Sequence, residues 1–279
     1  MRLRRAGASP GPRLRRPIIG PMSESATFPG AQGQRLAARL DRPDGPPRAW
    51  AVFAHCFTCG MDSLAASHIA RTLADRGIAV LRFDFTGLGA SGGDFADTHF
   101  SSNLADLRAA IDWLRAEHAA PRLLVGHSLG GAAVLAVAGD VPEVRAVVTL
   151  GAPSEPAHVV RQFGDDVETI RAQGEAEVRL AGRPFTIRRE FLEDVAAHDQ
   201  AARIARLDAA LLVMHSPTDR VVPVDEAAAI YVRANHPKSF VALDGADHLL
   251  TRREDAAYAA ELIAAWSAPY LRQRDEPRE

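Results

Sequence analysis

From about residue 34 the chain alternates between two hydrophobic rhythms. Continuous apolar runs such as AWAVFAHCF, IAVLRFDF, RLLVGH, VRAVVTLGAP, AALLVMHSP and SFVALDG suit strands buried on both faces. QRLAARLDRP has the period-2 alternation of an earlier strand, and PDGPP marks a turn after it. Between these runs lie stretches with apolar residues at helical spacing. SLAASHIARTLADRG has a glycine just past its end. SSNLADLRAAIDWLRAEH has Ser and Asn near its start and puts Leu104, Leu107, Ile111 and Leu114 on one face. LGGAAVLAVAG, VDEAAAIYVRAN and EDAAYAAELIAAWSAPYL continue the alternation. Strand and helix repeated this often predict an α/β fold, a mostly parallel sheet covered by helices on both faces. Regularity weakens from 154 to about 200, where EVRLAGRPFTIRREFLEDV reads as an inserted hairpin or helical excursion turning at Ala-Gly-Arg-Pro. No internal repeat and no second domain are visible.

Composition changes this picture at the ends. Residues 1–22 hold six arginines, four prolines and no acid, and read as a disordered tail, with Met22 opening the folded protein and the domain running over 23–272. Residues 273–279 read as a charged tail by the same argument. The formal net charge of −2 gives no basic excess for a nucleic-acid partner. No apolar run approaches the ~20 residues that span a bilayer. The expectation is a cytoplasmic protein with no membrane partner, its oligomeric state left open. Two cysteines exclude a disulfide-dense secreted scaffold.

The chemistry centres on LLVGHSLGGAAVL, where Gly126, Ser128 and Gly130 form G-x-S-x-G between a strand and a helix. A serine nucleophile must project from a sharp turn with small neighbours, and the helix N-terminus behind it favours developing negative charge. Serine needs a base, and the base needs an orienting acid. Asp219 lies just past AALLVMHSP and His248 just past SFVALDG, so both fall at the sheet edge that carries Ser128. Asp247 is the chief rival acid. His215 reads as structural, His236 as a turn residue, Asp225 as a helix-start acid, and His127 as pointing away from the serine. Asp208 and Asp244 are weaker still.

These motifs resemble the α/β-hydrolase superfamily over roughly residues 25 to 270, through GHSLGG, SPTDRVVP, GADHLL, HCFTCG and RFDFTGLGASGGD. AHCFTCGMDSLAASHIA, FDFTGLGASGGDFADTHFSSN and HPKSFVALDGADHLL look more narrowly like the serine-aminopeptidase-like (S33-type) module found fused ahead of a domain resembling osmotically inducible protein C. That fused domain is expected to be absent here, and its thiol-peroxidase activity does not transfer. Nothing in the sequence marks a site for a peptide amino terminus. The resemblance implies an eight-stranded sheet, a small lid at 154–200 and a cofactor-free, metal-free serine hydrolase acting on a small acyl substrate. It implies that the loop HCFTCG supplies an oxyanion donor, with Cys56 where the superfamily commonly has glycine. The N–H groups of Phe57 and Leu129 would then hold the oxyanion and His55 would fix the loop. Asp84 and Ser91 would hold the neighbouring glycine-rich turn, whose spacing is one residue short of a dinucleotide fingerprint.

Phe163, Val167, Ile170, Phe185, Phe191 and Leu192 either roof a pocket or form the insertion's own core. Two other functions stay open: a non-catalytic binding protein on a hydrolase scaffold, and a redox protein using Cys56 and Cys59. A smaller role for the pair is oxidative switching of the hydrolase.

Overall fold

Every continuous apolar run forms a strand. The computed structural model describes residues 22–272. Its strands are β1 (Met22–Pro29), β2 (Arg35–Arg42), β3 (Ala49–Ala54), β4 (Ile78–Phe83), β5 (Leu123–His127), β6 (Ala146–Leu150), β7 (Glu175–Leu180), β8 (Arg183–Arg188), β9 (Ala210–His215) and β10 (Lys238–Ala242). The helices are α1 (Leu64–Asp75), α2 (Phe100–Glu117), α3 (Leu129–Ala138), α4 (Asp166–Gln173), α5 (Arg189–Ala197), α6 (Gln200–Ala205), α7 (Val224–Arg233) and α8 (Arg253–Leu271). Eight strands form one sheet in the order β1-β2-β4-β3-β5-β6-β9-β10, antiparallel where β2 meets β1 and β4 and parallel from β4 onward.

Strand alternation sorts the core into two layers. Ala51 and Phe53 of β3 join α1 and α8 on one face. Val52 and Ala54 join α2, α3 and the insertion on the other. The order β4-β3-β5 reverses direction at β3, so the crevice at the carboxyl ends of β3 and β5 is the point where such sheets bind ligands.

Three details differ from the expectations. β1 takes in Met22, which pairs with Arg42, so the last residue of the segment read as a tail belongs to a strand. The rest of the 1–22 tail and the 273–279 tail lie outside the described residues. MSESATFP shows no strand pattern because only Phe28 is buried in this edge strand. The cap of α2 is His99, whose Nδ1 accepts from Ser102 N–H while Ser102 Oγ accepts from His99 N–H. The insertion contains both of the alternatives read from its sequence: a 3₁₀ segment Pro156–Phe163, α4, the hairpin β7–β8, α5 and α6. Its hairpin turns at Ala181 (φ 48°) and Gly182 (φ 79°), both left-handed, as a two-residue hairpin loop requires, whereas Arg183 and Pro184 already belong to β8.

Candidate active site

β5 is buried along its length and ends directly at Ser128, whose backbone sits at φ 54° and ψ −123° before α3 begins. A non-glycine residue at positive φ is strained, and the surroundings hold it there. A side chain at Gly126 would strike the Gly130 carbonyl, one at Gly130 the carbonyls of Ala54 and His55, and one at Gly131 the Ala152 methyl. Ser128 N–H donates to Leu150 O at 2.8 Å, tying the turn to β6.

Two loops from the far half of the sheet converge on this serine. Ser128 Oγ lies 3.0 Å from His248 Nε2, and His248 Nδ1 lies 2.7 Å from Asp219 Oδ2. Asp219 Oδ1 accepts from the N–H groups of Val221 (2.8 Å) and Val222 (3.0 Å). Burial pushes the Asp219 carboxyl up, but the hydrogen bond and charge of His248 and these two N–H groups outweigh it. The net pKa is below the usual carboxylate value. Asp247, the rival acid, instead binds the backbone N–H and hydroxyl of Thr251 and holds its own turn.

Buried imidazoles brace these loops. His127 Nε2–H donates to the His248 carbonyl at 2.7 Å, and the two rings lie 5.3 Å apart. The histidine set aside in the sequence is therefore a support of the His248 loop. His215 Nε2–H donates to Val222 O at 2.8 Å, which fixes the loop carrying Asp219. Burial holds His215 below its ordinary pKa and brings His127 down to about 4, so both are neutral donors. Gly151 (φ 54°) passes so close that a side chain there would lie 3.3 Å from His248 Nδ1 and 3.5 Å from Asp219 Oδ2. Sequence reasoning missed both His127 and Gly151. Gly151 carries a signal in its place just past β6, whereas the His127 contact spans 121 residues and leaves none.

The loop after β3 approaches from the opposite side. His55 is buried. Its Nδ1–H donates to Cys56 O at 2.7 Å while Nε2 accepts from Phe85 N–H at 3.4 Å. Burial holds its pKa below the ordinary value, more strongly than the Cys56 carbonyl and Asp84 raise it. Cys56 and Cys59 are joined as a disulfide, Cα atoms 5.2 Å apart, with Phe57 and Thr58 between them. Among the described residues neither the Phe57 N–H nor the Leu129 N–H has a hydrogen-bond partner. Asp84 accepts from Met61 N–H (2.7 Å) and Ala90 N–H (2.9 Å), and Ser91 Oγ–H donates to Asp84 O at 2.6 Å, so these two residues tie loops together.

The insertion lies over this loop. The Phe57 ring touches Phe191 (centroids 5.1 Å), Phe95 (5.4 Å) and Phe163 (6.2 Å). Phe163, Ile170, Phe191 and Leu192 are buried in the same core cluster as α2 and α3, with Val167 and Phe185 packed against it. They form the insertion's core, continuous with the main one. Among the described residues no group of three or more His, Cys, Asp or Glu side chains is arranged to hold a metal ion. No helix among them is long and apolar enough to cross a membrane.

The description "Serine aminopeptidase, S33" belongs to the family profile that matches residues 45–183. That stretch contains Ser128 and the Phe57 loop and stops before Asp219 and His248. The chain is 49% identical to the solved esterase domain of a Rhodothermus marinus protein, with a TM-score of 0.75, covering 90% of this chain and 99% of that one. Est1E from Butyrivibrio proteoclasticus, solved with ferulic acid bound, shares the fold at 20% identity and a TM-score of 0.74, over 88% and 99% of the two chains. Monoacylglycerol lipase of Mycolicibacterium smegmatis is 23% identical over 273 residues, 88% of this chain and 97% of the lipase.

Proposed function

The chain belongs to the α/β-hydrolase superfamily, in its S33-like branch of serine hydrolases, and from that premise we propose that Ser128, His248 and Asp219 are the machinery that cleaves an ester or related acyl bond. The observation that carries the reading is the hydrogen-bonded line from Ser128 Oγ through His248 to Asp219, at 3.0 and 2.7 Å. Ser128 Oγ attacks the substrate carbonyl while its proton passes to His248 Nε2. The Asp219 carboxylate holds Nδ1–H and stabilises the imidazolium. The N–H groups of Phe57 and Leu129 receive the oxyanion, where one such donor is worth about 3 kcal/mol in comparable sites. His248 then gives its proton to the leaving oxygen, and the acyl group stays on Ser128. Water, deprotonated by His248, attacks that acyl group and restores the serine.

The relatives' names, an esterase domain and a monoacylglycerol lipase, support an acyl ester as substrate. One hydrolase domain spans 23–272 and carries the 154–200 insertion. Ser128→Ala should lower kcat on p-nitrophenyl acetate by at least ~10⁴-fold and abolish labelling by a fluorophosphonate probe, with the circular dichroism spectrum unchanged. Unaltered turnover in that variant would refute the assignment.

A further inference from the structure

The structure divides the space around Ser128 unequally. His248 Nε2 is the proton donor to the leaving group, so the alcohol half of an ester must pass His248. The carbonyl oxygen points to the Phe57 and Leu129 N–H groups, so the acyl half lies against the wall from which they come.

That wall is nearly solid. The cavity bounded by Phe57, Phe85, Leu88, Phe100 and Leu129 holds about 10 Å³. Such a volume takes about one water molecule. Phe163 and Phe191 of the insertion pack on the Phe57 ring and hold it in that wall. On the His248 side the cavity is about 410 Å³, bounded by Thr218, Val221, His248, Leu249 and Thr251. This falls in the ~300–1,000 Å³ range of pockets that hold whole ligands. Val221 and Leu249 stand 40% and 42% exposed at its rim, apolar surface with no covering side chain among the described residues.

We propose that the substrate is an ester of a compact, acetyl-sized acyl group with a large, partly apolar alcohol whose aliphatic surface covers Val221 and Leu249. The assignment rests on the Ser128–His248–Asp219 reading and adds the direction in which the substrate lies. The rim supplies both kinds of contact, with Arg220 and Asp247 beside the aliphatic pair.

Two isomeric esters test it in the unmutated protein, because octyl acetate and ethyl octanoate have the same atoms and exchange only the long and short halves. Hydrolysis followed by pH titration should give kcat/KM at least ~10-fold higher for octyl acetate. Equal rates, or a preference for ethyl octanoate, with Ser128→Ala inactive on both, would overturn the partition and leave the serine assignment standing. Turnover that survives Ser128→Ala would overturn both together. Leu88→Ala enlarges only the acyl wall and should raise the ethyl octanoate to octyl acetate ratio by ~10-fold. Leu249→Ala should lower the octyl acetate to ethyl acetate preference. An unchanged ratio in both variants would also overturn the proposal.

Discussion

His127 shows what a buried histidine does at this site besides chemistry. It is 3% exposed, donates to the His248 carbonyl, and is held neutral with a pKa near 4. The unfolded chain binds a proton at this residue near pH 6.5, whereas the folded chain resists it until about 4. Between those values the unfolded state carries more protons, so stability present above pH 6.5 is lost as pH falls, and the loss levels off below about 4. A gap of this size corresponds to roughly 3 kcal/mol. His127→Gln keeps a donor and removes the titration. Urea unfolding at pH 7 and pH 4.5 should show a smaller pH-dependent loss in the variant than in the wild type, and a slope should remain because His55, His118 and His215 also have lowered pKa values. Identical slopes would show that His127 takes no part. At this scale Ser128 was legible because its glycines are forced by backbone collisions within a few residues. His127 was not, because its partner is a main-chain atom of a distant loop.

Among the elements, β2 is held in register by a buried ion pair. Arg82 of β4 and Asp41 of β2 are each 1% exposed, with Arg82 Nε 2.6 Å from Asp41 Oδ2. Arg82 also reaches Met61 O, Asp62 and Ser67, so one guanidinium joins two strands and α1. Removing only one partner strands the other charge in the core. Asp41→Ala should cost about 3–5 kcal/mol in chemical denaturation, whereas Asp41→Leu combined with Arg82→Met should recover much of that loss. A mild single-variant effect would mean that Asp62 and Met61 O suffice for the guanidinium. The strands buried on both faces were legible as apolar runs, because burial on both faces leaves no room for polar residues. β1 was not, since an exposed edge strand is held by its ladder to β2 rather than by side-chain burial. The α2 cap escaped because histidine takes the place that serine or asparagine usually fills.

For the whole molecule, chain order and sheet order together explain the site. Ser128 follows β5 at the centre, while Asp219 and His248 follow β9 and β10, and parallel pairing brings all three to one edge. The order of the motifs made this convergence legible. The contents of the insertion were not, since its helices are short and its hairpin strands are six residues each, with only Val178, Leu180 and Ile187 fully buried. Its parts should differ in dispensability. Replacing the hairpin 175–188, which buries Val178, Leu180 and Ile187 in the main core, by a short Gly/Ser linker should lower the melting temperature but leave a cooperative transition, whereas deleting 189–205 should abolish cooperative unfolding in a thermal melt. A deletion variant that melted normally would contradict this.

The reason lies in α3, where every residue from Leu129 to Ala138 is buried. Gln200 Nε2 donates to Ala132 O at 2.9 Å and Arg203 Nη1 to Ala136 O at 2.5 Å, so α6 lies over the helix that carries the serine turn. A stretch that begins as an excursion from the sheet thus returns as part of the wall of the house. Any change that displaces 200–203 is therefore felt in the backbone of α3 at Ala132 and Ala136, and through it at the turn that holds Ser128.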